Sequence, residues 1–162
     1  MQKSITLLPV SDHDESFPFR VFRSVHEPSF ASLQTPVEQK TELLQMQFNA
    51  QQSQYCTQYP DADFDVVMRD GEPVGYMYAL RGPDAYVLID ISLLPEQRNK
   101  GVGAKLVSAL IKEAQSSNEP LEAHVLRDNP AWRLWQRLGF EQVSDDGVYL
   151  HIRVPVERVQ HR

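Results

Sequence analysis

The chain reads as a mixed α+β domain, a central mixed sheet flanked by helices, on three grounds. Short runs of aliphatic, β-branched and aromatic residues are separated by stretches whose apolar positions recur at helical spacing. Glycine or proline stands at most junctions between them, as at Asp70-Gly71 and Gly82-Pro83. Residues 86–94 are almost continuously apolar, the pattern of a central strand covered on both faces.

The N-terminal half begins with a strand over 5–10, ended by Pro9 and the polar Ser11-Asp12-His13-Asp14. Residues 14–30, broken by Pro18 and Pro28, hold one short helix and a loop. Thr35-Pro36-Val37-Glu38 is a helix start, with Thr35 as N-cap, Pro36 at the first helical position and Glu38 at the third. Leu44, Phe48 and Tyr55 carry that helix on until Tyr59-Pro60 stops it. Residues 64–68 and 73–80 form a hairpin about Asp70-Gly71.

After the turn Arg81-Gly82-Pro83-Asp84 comes the central strand. A helix over 101–116 then buries Val102, Leu106, Ala109 and Leu110. Residues 121–126 are another strand. A short helix over 131–138 buries Ala131, Leu134, Trp135 and Leu138 and is capped by Gly139. Residues 140–143 and 147–154 pair as a second hairpin. No repeat, low-complexity block or linker divides 1–162, which reads as a single domain.

Composition narrows the functional classes. Hydrophobic residues at 41% and charged residues at 23% are ordinary globular usage, and 162 residues suffice for a core. A net charge of −6 with no basic run argues against a nucleic-acid partner, which needs clustered Lys and Arg. It suits a cationic small molecule better. Cys56 is the only cysteine, so no intramolecular disulfide can form; it is either a nucleophile or a small apolar residue near a helix end. Residues 1–10 carry one Lys and a short apolar stretch, unlike a signal peptide, and no run of about 18 apolar residues offers a membrane span. A cytoplasmic location follows. His26 and His124 are expected to be exposed, and no His/Asp/Glu spacing suggests a metal.

Chemistry concentrates after the central strand. Pro95-Glu96-Gln97-Arg98-Asn99-Lys100 leads into a helix that begins at Gly101-Val102-Gly103-Ala104. A helix N-terminus presents unpaired N–H groups and the positive end of a macrodipole, and glycines let a pyrophosphate approach them closely. Arg98 and Lys100 could add charge; the alternative is a glycine-softened turn that binds nothing. Gly101-x-Gly103 partly matches a dinucleotide fingerprint, with Glu122 further on, but the third glycine is missing and the turn is too long.

Arg98-Asn99-Lys100-Gly101-Val102-Gly103 resembles the Gln/Arg-x-x-Gly-x-Gly/Ala pyrophosphate loop of the GNAT family of N-acetyltransferases. Leu93-Leu94-Pro95 looks like the end of that family's fourth strand. The segment from Asn129 to Phe140, with Ala131, Leu134, Trp135, Arg137, Leu138 and Gly139, is similar to the family's Asn-x-Ala-x-x-Leu-Tyr-x-Arg-Leu-Gly-Phe. The two motifs stand in the family's order, one helix and one strand apart, and the matching core runs over 63–154.

The resemblance implies the GNAT acyl-CoA N-acyltransferase fold, a mostly antiparallel mixed sheet whose fourth and fifth strands splay apart. It implies acetyl-CoA as co-substrate with no metal, an amine acceptor (a small molecule or a peptide), direct attack in a ternary complex, and a monomer or homodimer. Arg98, Asn99, Lys100, Gly101, Val102, Gly103 and Ala104 would hold the pyrophosphate. Ile91, Leu93 and Leu94 would bond the pantetheine arm through their backbones, with the Leu93 N–H aimed at the thioester carbonyl. Asn129 would meet the pantetheine from the other side, or serve only as a helix cap.

Two further positions bear on catalysis. Trp135 stands where the family commonly has a Tyr that protonates the leaving thiolate, and an indole cannot do so. Tyr149 is the candidate replacement; otherwise Tyr149, His151 and Arg153 are a solvent face alternating with Val148, Leu150, Ile152 and Val154. Asp90 interrupts an apolar run and is either the base or anchor for the amine, or a polar residue satisfied locally. The Trp135 departure also leaves room for a non-catalytic sensor that binds acetyl-CoA.

Overall fold

The computed structural model describes residues 4–32 and 34–156; residues 1–3, 33 and 157–162 of the expected single domain lie outside it. In chain order the elements are β1 (Ile5–Pro9), α1 (Phe17–His26), α2 (Val37–Gln58), β2 (Asp63–Arg69), β3 (Glu72–Arg81), β4 (Tyr86–Leu93), α3 (Val102–Ser116), β5 (Leu121–Leu126), α4 (Trp132–Leu138), β6 (Glu141–Asp145) and β7 (Tyr149–Val154). The strands form one sheet in the order β1-β2-β3-β4-β5-β7-β6, with β4 in the middle. β4 and β5 are parallel, while β1–β2, β5–β7 and β6–β7 are antiparallel. This is the α+β architecture expected, a mixed and mostly antiparallel sheet with four α-helices among the described residues.

Contacts group the chain into two compact units, one made of the residues up to Tyr78 with Asp90–Lys100, the other of Ala79–Ile89 with the residues from Gly101 on. In the first, Val66, Val67, Val74 and Met77 are buried from the sheet, and Phe22, Leu44 and Phe48 form a helical cluster joined by Phe19 and Phe30. Phe48 meets Phe19 and Phe22 edge to face at 5.6 and 5.4 Å, the favoured geometry for ring pairs. The start of α2 differs from the expected one. Pro36, not Thr35, is the N-cap residue; its carbonyl takes the N–H groups of Gln39 and Lys40, and no side chain caps the helix. Proline's fixed φ and missing N–H suit it to the helix entrance, here one position earlier than expected. Cys56 is exposed on α2, so it is not a packing residue.

In the second unit α3 buries Val102, Leu106 and Leu110 together with Val107, Ile111 and Ala114. The apolar stripe lies between those two rows, which leaves Ala109 outside it and exposed. Gly139, at φ 113°, ends α4: its N–H bonds Gln136 and that of Phe140 bonds Trp135, a left-handed cap that relieves two terminal carbonyls. On β7 the expected alternation holds from Tyr149 on, with Leu150, Ile152 and Val154 buried, but Val148 is exposed in the preceding turn. β6 lies at the sheet edge and is polar apart from Val143, with a register shift between Gln142 and Ser144, features that discourage edge-to-edge pairing.

Candidate active site

Asp90 stands in the C-terminal half of β4, and three tyrosines gather around it. The Tyr76 hydroxyl, from β3, donates to Asp90 Oδ2 at 3.0 Å. Tyr55, from α2, and the Ile91 N–H, from its own strand, lie near the carboxylate and favour its charged form. The Tyr76 ring stacks on Tyr78 at 4.6 Å, and Tyr78 meets Phe64 and Tyr55 edge-on at 4.9 and 6.2 Å. Part of Asp90 remains exposed, but its carboxyl group lies deep enough that burial raises its pKa from 3.8 to about 6, against the lowering effect of those groups. Burial first, and then the Asp90 charge, push the Tyr76 and Tyr78 hydroxyls upward, so both stay protonated donors. Gln52 lies beside the Tyr78 hydroxyl, yet its buried Nε2 forms no hydrogen bond of good geometry. Asp90 was legible as an acid breaking an apolar run; Tyr55 and Tyr76 looked like any aromatic residue of a helix or strand.

The end of β4 has two unlike edges. Leu94 donates its N–H to Val74 at 2.9 Å and accepts the N–H of Gln97 at 2.9 Å, so both its backbone groups are engaged within the chain. The Ser92 carbonyl also faces β3, close against Gly75. Because backbone groups alternate sides along a strand, those of Ile91 and Leu93 point to the opposite edge. Pairing to β5 on that edge is registered only from Tyr86 to Leu88. β4 itself continues to Leu93, past the last of these registered pairs.

Next comes a single turn of 3-10 helix, Pro95–Gln97, followed by the exposed Arg98, Asn99 and Lys100. Gln97 is fixed by Arg69, whose Nη1 donates to its side-chain oxygen at 3.1 Å. Asn99 sits at φ 61° and Gly101 at φ 80°, left-handed conformations that Asn tolerates and Gly adopts freely. Gly101 is the N-cap of α3; its carbonyl takes the Lys105 N–H, and no side chain caps the helix. The N–H groups of Val102, Gly103 and Ala104 thus head the helix without an intrahelical partner. The Val102 side chain is buried, so only its backbone faces outward.

Asn129 has its side-chain oxygen committed to the Ala131 N–H at 2.8 Å, while its carbonyl accepts from Trp132. It closes a turn just ahead of α4, whose N-cap is Ala131 and lacks a side-chain cap, and its side-chain amide nitrogen carries two donor hydrogens. It borders a groove of about 430 Å³ between 126–130 and Gly147-Val148. A more open hollow of about 530 Å³ on α4, lined by Arg133, Gln136 and Arg137, holds none of the expected site residues. Trp135 is buried, with its ring edge-on to Phe140 at 6.3 Å. Tyr149 is half-exposed opposite Leu126. Next along the same face, His124 and His151 stack at 4.7 Å, and Glu122 holds His151 and Arg153 at 3.2 and 2.8 Å. That cross-strand cluster depends on the β5–β7 register, which the sequence does not display.

Among the described residues no group of three or more His, Cys, Asp or Glu is placed to hold a metal ion, and no helix is long and apolar enough to cross a membrane. The acetyltransferase (GNAT) family model matches residues 27–140. Among solved structures, the PaiA N-acetyltransferase of Thermoplasma acidophilum in complex with coenzyme A superposes with a TM-score of 0.68 at 17% identity, over 96% of this chain and 99% of that one. An acetyltransferase from Thermus thermophilus gives 0.65 at 22% identity, over 94% and 97%. A Bordetella pertussis protein described as a GNAT-family acetyltransferase gives 0.61 at 20% identity, over 94% and 99%. No curated protein sequence matches the chain.

Proposed function

The chain belongs to the acetyltransferase (GNAT) family, and from that premise we propose that, as a single cytoplasmic domain, it moves the acetyl group of acetyl-CoA onto a primary amine by direct attack in a ternary complex. The observation that carries this reading is Asp90, a carboxylate drawn out of water, hydrogen-bonded by Tyr76 and raised to about 6. An alkylammonium has a pKa of about 10 and must lose a proton before it can attack. A carboxylate raised toward neutrality is a better base than an exposed one, and its charge also anchors the incoming ammonium.

The other assignments follow from the open backbone groups. The N–H groups of Val102, Gly103 and Ala104 receive the pyrophosphate at the head of α3, with charge from Arg98 and Lys100 and a polar contact from Asn99. The Ile91 carbonyl and the Leu93 N–H bond the pantetheine arm, while Leu94, its backbone engaged, contributes packing only. The Asn129 amide hydrogens meet the pantetheine amides. Acetyl-CoA supplies an activated thioester. As the amine nitrogen bonds to the carbonyl carbon, negative charge builds on the carbonyl oxygen and the Leu93 N–H stabilises it. The carbon–sulfur bond then breaks; Asp90 holds the proton the ammonium lost before attack, and the second nitrogen proton passes by way of Tyr149 or water to the CoA thiolate. Trp135 packs beside the leaving sulfur without donating a proton.

The test is release of CoA thiol from acetyl-CoA in the presence of polyamines, amino acids and aminoglycosides. Amine-dependent release with an acetylated product is expected for at least one class. Tight acetyl-CoA binding with no transfer to any amine would favour the sensor reading that Trp135 suggested.

A further inference from the structure

Groups from three elements face Asp90. Tyr76 of β3 donates to Oδ2 at 3.0 Å, while Tyr55 of α2 and the Ile91 N–H of β4 lie near the same carboxylate and favour its charged form. The two phenols are themselves fixed. Tyr76 is buried and lies flat on Tyr78, 4.6 Å away at an interplanar angle of 19°. Tyr78 is wedged edge-on between Phe64 at 4.9 Å and Tyr55 at 6.2 Å. In a close-packed stack one ring cannot swing without displacing the next. Hydrogen bonds to an ionised acceptor are roughly twice as strong as neutral ones, so the clamp favours the carboxylate form and fixes its direction.

We propose that Tyr55 and Tyr76 are positioning residues, whose hydroxyls hold the Asp90 carboxylate toward the acceptor amine and set the pH at which it can take the amine's proton. This rests on the reading of Asp90 as the group that meets the amine. The groups facing Asp90 are the Tyr76 hydroxyl from β3, the Tyr55 hydroxyl from α2 and the Ile91 N–H; one ring further lie the Tyr78 hydroxyl with Gln52 and Cys56 of α2, and Ser92 beside Tyr76. None of these is a cation. The donors therefore oppose burial as the force on the Asp90 proton, and removing one raises its affinity for that proton.

The experiment is a carboxyl ¹³C NMR titration of Asp90 in the full chain, with Asp90→Asn identifying the resonance. Tyr55→Phe and Tyr76→Phe each keep the ring and remove only the hydroxyl. Each should move the Asp90 midpoint to higher pH by about one unit, the amount a hydrogen bond to a charged group supports. Should Tyr76→Phe disturb the fold, Tyr55, less deeply buried on α2, carries the test alone. An Asp90 midpoint that stays put in the folded variants overturns the clamp, whether or not the chain transfers acetyl groups. With an amine that is acetylated, the acidic limb of kcat/KM should follow the carboxyl midpoint upward while KM for acetyl-CoA holds. A midpoint that moves without the acidic limb overturns instead the reading of Asp90 as base, and with it the proposed control of the reaction's pH response.

Discussion

A carboxylate whose burial lifts its pKa from 3.8 to about 6 weakens the folded state wherever it is ionised. Between those two values the folded chain still holds a proton that the unfolded chain has released, so stability falls as pH rises through that window and levels off above it. The gap is worth roughly 3 kcal/mol. Asp90→Asn keeps the shape and an acceptor oxygen for Tyr76 but removes the charge. It should therefore melt higher than the native chain at neutral pH and alike below pH 3.8, where both side chains are neutral. At the same time kcat/KM for the amine should fall about 10²–10⁴-fold, as for loss of a general base. Thermal melts at the two pH values, set beside amine kinetics, check both halves; a lower melting temperature at neutral pH would make Asp90 a structural acid. At this scale the acid itself was legible, because it interrupts Val87-Leu88-Ile89 and Ile91. Its partners were not, because Tyr76 and Tyr55 reach it through sheet register and helix packing.

At the scale of elements, the sequence carried the order of strands and helices from end to end, because the punctuation by Gly and Pro coincides with real turns. Boundaries moved where a backbone preference overrode the pattern, as when Pro36 displaced Thr35 as N-cap of α2. What periodicity cannot carry is the contact between strands, and Gly75 is the instance that matters most. A Cβ there would fall inside contact distance of the Ser92 carbonyl oxygen and within 2.7 Å of Leu93 Cδ2. β3 and β4 can lie this close only because residue 75 has no side chain. Gly75→Ala must push Ser92 and Leu93 away, which should cost about 1–3 kcal/mol and weaken acetyl-CoA affinity in calorimetry, since Leu93 is assigned to the thioester. Gly71→Ala is the control: open space surrounds it, and only its φ of 83° resists, so about 1–2 kcal/mol of stability should go with affinity unchanged. Equal affinity in the two variants would separate the β3–β4 approach from the binding of acetyl-CoA.

For the whole molecule, binding and folding are linked. A ligand that binds only the folded chain stabilises it by about 2.7 kcal/mol at a hundred times its Kd. In a chain of 162 residues, each kcal/mol moves Tm by about 2–4 °C, so saturating acetyl-CoA should raise the melting temperature by roughly 5–11 °C. Gly103→Glu tests where that stabilisation originates. Glu is a better helix former than Gly, and a carboxylate in the first turn of α3 complements the helix dipole, so the unliganded variant should melt at or above the native temperature. That same carboxylate would sit among the N–H groups of Val102, Gly103 and Ala104 and repel a pyrophosphate. The upward shift with acetyl-CoA should then disappear while the protein stays folded. A variant that keeps the full shift would place the pyrophosphate elsewhere on the molecule and detach the loop from Arg98 to Ala104 from its assigned role.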